Sequence, residues 1–297
     1  MRLRAGGREL VIGGRPLLMG IVNATPDSFS DAGELTSLDA RVARATQLVA
    51  AGADIVDVGG ASAVGGRPPV PVREEIERVV PVIERVVAES GVVVSVDTHR
   101  PEVAEAAVAA GAGMVNDVSG LGDPALAELC ARTGAALVLM HTRVQPGGTL
   151  LDPGAYDDVV EDVAAFLRER MSVAQAHGMD AEQLLLDPGP DFAKTPAQTV
   201  AVLRRLDRLH ELGRPLLLAV SRKDFIGAIT GRPPRERGAG TLAALAAGAD
   251  AGAHVLRVHD VAAASDFLAV RAVLRGEREL APGEGLTPDR FPSGPTR

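Results

Sequence analysis

The chain has one cysteine, one tyrosine, six phenylalanines and no tryptophan among its 297 residues. A lone Cys130 excludes internal disulfides and every zinc motif built on paired cysteines. With so few rings, the core has to be filled by Val, Leu, Ile and Ala. No apolar run is long enough to span a bilayer, and residues 1–16 lack the apolar stretch of a signal peptide. A basic excess is missing too. The net charge of −8 argues against a general nucleic-acid binder and leaves any anionic substrate to a few local cations. Also absent are a Walker-type glycine loop, a His-Glu metalloprotease pair and a Gly-x-Ser-x-Gly elbow. Nucleotide hydrolysis, zinc catalysis and acyl transfer therefore lose support. The expectation is a cytoplasmic protein with small-molecule partners, no nucleic acid and no membrane.

What is present is a repeating alternation. Short Val/Leu/Ile-rich segments occur at 17–23, 54–59, 92–97, 113–117, 136–141, 184–187, 216–221 and 255–259. They are nearly continuous in apolar residues, as parallel strands buried on both faces must be. Between them, 37–51, 73–89, 101–110, 124–133, 156–177, 196–212, 240–252 and 261–274 show helical spacing. Several of these start at a proline beside a polar residue and end at a glycine. Eight strand–helix units in unbroken order predict an α/β fold, a single (β/α)8 TIM barrel, over a doubly wound open sheet. Residues 3–12, with two Gly-rich turns, predict an N-terminal β-hairpin that plugs the barrel bottom. The barrel domain is expected over 1–280, and a flexible, disordered C-terminal tail over 281–297, which has no apolar period.

Polar residues cluster where each strand ends: Asn23, Asp57, Asp97, Asn116 with Asp117, His141, Asp187, Ser221-Arg222-Lys223, and Arg257 with His259. Any one of these has an ordinary use as a turn former or helix cap. In a closed parallel barrel, however, all eight ends converge on one mouth, where barrel enzymes place their sites. Carboxylates (Asp97, Asp187), an amide (Asn116) and an ammonium (Lys223) suit a flat heterocycle with donor and acceptor edges. A guanidine-like edge, such as the 2-amino/N3 edge of a pterin, satisfies a carboxylate with two hydrogen bonds. Arg257 and His259, two apart on one strand, face one side. With Asn23 next door, they suit a pyrophosphate and its Mg²⁺.

At this point the motifs resemble a known family. The run from Met19 through Asn23-Ala24-Thr25-Pro26-Asp27-Ser28-Phe29-Ser30 to Asp31 is similar to the opening of dihydropteroate synthases. So are Asp57-Val58-Gly59-Gly60, Ser95-Val96-Asp97-Thr98, Val115-Asn116-Asp117 and Leu139-Met140-His141. The later matches are Leu186-Asp187-Pro188-Gly189 with Phe192 and Lys194, Ser221-Arg222-Lys223, and Arg257-Val258-His259-Asp260. They run from residue 19 to about 275. The resemblance implies condensation of 6-hydroxymethyl-7,8-dihydropterin pyrophosphate with p-aminobenzoate, through a pterin-stabilised cation that the arylamine attacks. It implies that Asp97, Asn116, Asp187 and Lys223 hold the pterin, with Asp97, Asp187 and Lys223 also catalytic. Met140 joins the substrate-binding set. Asn23 as metal ligand, with Arg257 and His259, would hold pyrophosphate and Mg²⁺. Phe29 on the loop 25–31 and Phe192 would flank the aminobenzoate, and a homodimer would form through the Ala-rich last helices. That loop and the Ser-Arg-Lys motif favour this family over methyltetrahydrofolate-dependent methyltransferases.

Two positions depart from the family pattern. Where its members follow Gly-Gly with Glu-Ser-Thr-Arg-Pro-Gly, this chain reads from Gly60 through Ala61-Ser62-Ala63-Val64-Gly65-Gly66-Arg67 to Pro68, so the arginine is displaced to Arg67. After Ser-Arg-Lys, the usual Ser that helps to bind the aminobenzoate carboxylate is Asp224. Two anions there repel, with only Lys223 and Arg222 as obvious local cations. Two readings stay open: a synthase with compensation by Arg67 and a rotated Asp224, or a pterin-binding paralogue that lacks synthase activity or uses a different amine acceptor.

Overall fold

The computed structural model of the protein describes residues 1–24, 37–61, 70–281 and 284–285. Phe29, Arg67, Ala63, Val64 and most of the expected tail lie outside them.

Eight parallel strands form the barrel: β3 (Leu17–Asn23), β4 (Ile55–Gly59), β5 (Val93–Asp97), β6 (Met114–Asp117), β7 (Ala136–Met140), β8 (Leu184–Asp187), β9 (Leu217–Leu218) and β10 (Val255–Val258). From β3 to β8, and from β9 to β10, each strand pairs with its neighbour in the chain, and β10 pairs with β3. The gap between β8 and β9 is bridged at Leu186 and Leu216, with Leu186 N–H donating to the Pro215 carbonyl at 3.0 Å. The alternation of patterns thus produces a closed ring rather than an open sheet.

The near-continuous apolar strands have the expected cause. On one face, Leu18, Val22, Val56, Val58, Val94, Val96, Val115, Leu137, Leu139 and Leu256 join the shell beneath the helices. On the other, Met19, Ile55, Val93, Met114, Val138, Leu185 and Val255 fill the barrel interior. The helices are α1 (Leu38–Ala50), α2 (Val72–Ser90), α3 (Pro101–Ala109), α4 (Ala125–Thr133), α5 (Val159–Ala176), α6 (Pro196–Arg204), α7 (Asp224–Thr230), α8 (Gly238–Asp250) and α9 (Val261–Leu274). Their starts are capped locally. Ser37 accepts from Ala40 N–H, Asp158 from Val160 N–H, and Asp260 from Ala263 N–H, while Thr195 and Gln198 form a reciprocal box.

Two segments differ from the expectation. Residues 196–212 do not form one helix: Arg205 leaves helical geometry (φ −121, ψ 31), and a 3₁₀ stretch follows over Leu206–Leu212. Arg205 and Arg208 there pair with Asp158 and Glu161 at the start of α5. The strand expected at 216–221 keeps a ladder only at Leu217–Leu218, because Arg222 turns to φ 60 and α7 begins at Asp224. That short helix has a glycine at its centre and no apolar stripe long enough to signal it.

The hairpin of β1 (Arg2–Ala5) and β2 (Arg8–Val11) closes the bottom, its Leu3 and Ala5 packing with Ile12 among the interior residues of the barrel. Its turn sits on the barrel backbone. A Cβ on Gly6 (φ +58) would lie 2.6 Å from Gly113 Cα. Gly6→Ala should therefore combine a left-handed strain with a backbone clash and cost about 1–3 kcal/mol. The urea midpoint checks this, and an unchanged midpoint would show that the plug does not bear on stability.

Candidate active site

The direction of each strand-end side chain follows from the two-residue period. Counting up by twos from the interior apolar layer leads from Ile55 to Asp57, Val93 to Ser95 and Asp97, Met114 to Asn116, Leu185 to Asp187, and Val255 to Arg257 and His259. These residues share the inner face. The same count puts Asp117 and His141 on the outer face, so two members of the expected mouth are elsewhere. Asp117 accepts from the Ser119 and Leu121 N–H groups at 2.7 and 2.6 Å and shapes a turn. His141 contacts Lys194 and Asp162 behind the strands.

Inside, Arg257 is the centre. From β10 it reaches past β3, donating from Nε to Asp57 Oδ2 at 2.7 Å and from Nη2 to Asp97 Oδ2 at 2.6 Å. Asp57 Oδ2 also accepts from Asn116 Nδ2 at 3.0 Å, which fixes the amide and turns its carbonyl the other way. Sequence reasoning placed Asp57 at the mouth but gave it no role; the available signal was its inward register above Ile55. Asp57 Oδ1 and Ser95 Oγ, on register partners of β4 and β5, are buried without a hydrogen-bond partner among the described residues.

The electrostatics follow from burial. Loss of solvent raises the Asp97 carboxyl from 3.8 to about 7, helped by Asp57 and Glu75 and opposed by Arg257 and Lys223. Burial also raises Asp187, against the Gly189 N–H that its Oδ1 accepts at 2.7 Å. Lys223 is lowered by burial, with Asp191 and Asp187 opposing. Burial works against the Arg257 cation, but Asp57 and Asp97 more than offset it, so its pKa rises.

The loop after β8 completes the wall. Asp187 makes a side-chain turn onto Gly189 (φ +63), where a Cβ would run into the His141 carbonyl oxygen, so only glycine fits. Lys223 Nζ lies 4.2 Å from the centre of the Phe192 ring. Met140, level with Asp187 across β7 and β8, is buried. His259 Nδ1 is 2.9 Å from Ser221 Oγ, and Asn23 ends β3 opposite Gly59.

Asp224 departs from its expected surroundings. Arg237 Nη1 donates to its Oδ1 at 2.8 Å, a cation that the sequence around it does not suggest. The Asp224 side chain is 84% exposed, and its backbone N–H donates to Asp191 Oδ2. The cation that balances it lies thirteen residues ahead in sequence, beyond the reach of any local motif.

Arg257 balances two carboxylates, so Arg257→Met leaves buried anions unpaired. We expect a loss of about 3–5 kcal/mol at pH 8. The loss should be smaller at pH 5.5, because Asp97 then carries a proton. Denaturant titration at both pH values checks this; a loss independent of pH contradicts it.

Comparison with known proteins follows the same lines. The family described as pterin binding enzyme matches residues 19–259. The dihydropteroate synthase of Bacillus subtilis is 43% identical over 248 residues, covering 83% of this chain and 84% of that protein. That of Escherichia coli K12 is 41% identical over 261 residues, covering 88% and 92%. The Xanthomonas albilineans dihydropteroate synthase solved with 4-aminobenzoic acid superposes with a TM-score of 0.85 at 47% identity, covering 93% of this chain and 99% of that one. The same enzyme solved in complex with 7,8-dihydropteroate gives 0.80 at 44%, covering 92% and 98%. Among the described residues no helix is long and apolar enough to cross a membrane.

Proposed function

The chain belongs to the pterin-binding enzyme family, and from that premise we propose that it is a transferase of folate biosynthesis. It would condense 6-hydroxymethyl-7,8-dihydropterin pyrophosphate with p-aminobenzoate, giving 7,8-dihydropteroate and pyrophosphate. One observation carries the reading. Arg257 joins Asp57 and Asp97, Asp57 fixes Asn116, and Asp187 and Lys223 stand at the same mouth.

A dihydropterin offers donors at its 2-amino group, N3 and N8, and acceptors at N1, O4 and N5. Asp97 and Asp187 complement the donors; Lys223 and the Asn116 amide complement the acceptors. As the methylene C–O bond breaks, positive charge spreads over the pterin. The part-buried Asp97 and buried Asp187 carboxylates favour that cation, and Arg257 and His259 favour the departing pyrophosphate. The attacking aniline nitrogen is neutral at pH 7, so its attack needs no strong base. It loses a proton after the C–N bond forms. Phe192, with Phe29 outside the described residues, would flank the ring of the second substrate.

Among the described residues no group of three or more His, Cys, Asp or Glu could hold a metal. A protein cage is thus not on offer among the described residues, but the hard amide oxygen of Asn23 suits Mg²⁺, which takes most of its ligands from substrate phosphates and water. Bound there, Mg²⁺ would supply charge to the leaving pyrophosphate. The Arg237 partner of Asp224 supports the synthase over the paralogue, because the repulsion set against the aminobenzoate carboxylate is already balanced. Val270 and Leu274, exposed on α9, support pairing of two copies through the last helices. A cytoplasmic location, with these small molecules as substrates and neither nucleic acid nor membrane as partner, completes the reading.

Two outcomes test it. Mixing the protein, the pterin pyrophosphate, Mg²⁺ and p-aminobenzoate should release pyrophosphate in proportion to the arylamine; release at the rate of the uncatalysed control rejects the reading. Binding of 6-hydroxymethyl-7,8-dihydropterin should weaken as pH falls below about 7, where Asp97 takes up a proton and loses an acceptor site. Asp97→Asn should bind weakly and show a flat profile; calorimetry from pH 5.5 to 8 distinguishes the cases.

A further inference from the structure

His141 and Lys194 lie outside the pocket, yet His141 is 0% and Lys194 1% exposed. A lysine ammonium has three N–H donors, and Lys194 Nζ has three acceptors. They are His141 Nδ1 at 2.7 Å, the Gly189 carbonyl at 2.9 Å and the Phe192 carbonyl at 3.0 Å. Two belong to the loop that Lys194 itself ends, so one cation ties this loop to itself and to β7. His141 is a fitting acceptor. Burial and the Lys194 charge hold its imidazole neutral, with its pKa lowered to about 3, and its Nε2 faces Asp162 Oδ1 at 3.0 Å. Nε2 therefore carries the proton and Nδ1 the lone pair. Arg143 in turn pairs with Asp162 from Nε at 3.1 Å.

The loop needs such a tie. Asp191 and Ala193 sit at φ 62 and 51, a conformation uncommon for L side chains, which Asp tolerates better than Ala. Tyr156 Oη donates to the Ala193 carbonyl at 2.6 Å and holds the loop from outside. What the loop carries matters to the site. Phe192 lies against Lys223, and Asp191 Oδ2 accepts from Asp224 and Phe225 N–H at 2.5 and 3.2 Å, the residues that follow Lys223.

We propose that Lys194 is a positioning residue for the second substrate: by spending its three donors on His141, Gly189 and Phe192 it locks the 188–193 loop, and so holds the Phe192 ring where p-aminobenzoate must stack. The role assigned to Phe192 rests on the synthase reading above. Lys194 itself touches no substrate; it acts through the loop. His141 is its fixed counterpart, and Asp162 sets the tautomer.

The test uses Lys194→Met, of similar length but with no donor, and His141→Phe. The second keeps a ring beside Tyr156 and Phe166 but removes one acceptor. In both we expect KM for p-aminobenzoate to rise about tenfold or more, and KM for the pterin pyrophosphate to stay within about threefold. Amide hydrogen exchange should accelerate at residues 189–194 relative to the strands. The chain has one tyrosine and no tryptophan, so intrinsic emission without substrates reports on Tyr156 alone. That emission should change as the contact with Ala193 loosens. A parallel rise in both KM values, or unchanged exchange and emission, overturns the proposal. If Lys194→Met does not fold, His141→Phe carries the same readouts. Absence of wild-type turnover rejects the synthase reading and the role of Phe192 with it, while exchange still decides whether Lys194 locks the loop.

Discussion

The bridge from Arg257 to Asp57 and Asp97 is the interaction on which the mouth of the barrel depends. Three charged side chains from β10, β4 and β5 meet where the interior stops being apolar. A buried cation of this kind persists only when carboxylates balance it, and a buried pair of carboxylates only when a cation separates them. Through Asp57 the same bridge orients Asn116. Four strands are thereby given one polar surface whose donors and acceptors are fixed before any ligand arrives, and such preorganisation lets hydrogen bonding discriminate between flat heterocycles.

The bridge also leaves charge unresolved in a useful way. Asp97 is raised to about 7 because burial outweighs Arg257. An apo site of this kind is held at the edge of ionisation. A ligand bringing N–H donors, or a developing positive charge, supplies what burial removed. The same physics lowers Lys194 to about 7, although there three acceptors answer the three donors and the group serves the loop. The two systems lie on opposite sides of the strands, yet their charges are felt across them: Asp187 opposes the lowering of Lys194, and Lys194 opposes the raising of Asp187.

Much of this was legible in the chain. Continuous apolar segments implied parallel strands buried on both faces, and their regular alternation with helical patterns implied closure. Asp97, Asn116, Asp187 and Arg257 each lie at a strand end or one residue before it, on the inner face, which the strand period alone predicts. Grouping strand-end polar residues without counting the period placed His141 and Asp117 in the mouth, where the odd step from Val138 and from Asn116 turns them out. Other features had no local trace. The partner of Asp224 lies across α7 at Arg237, and α7 itself is seven residues with a central glycine, too short for periodicity to register. The three-way tie at Lys194 depends on left-handed backbone at Asp191 and Ala193, which Ala does not announce and Asp signals only weakly.

The central claim is that the mouth is built to pair with the guanidine-like edge of a dihydropterin. The most direct measurement is calorimetric binding of 6-hydroxymethyl-7,8-dihydropterin beside its analogue with the 2-amino group replaced by hydrogen, without p-aminobenzoate. Buried acceptors left unpaired should weaken the analogue by about a hundredfold or more. Equal affinity for the two compounds would contradict the claim.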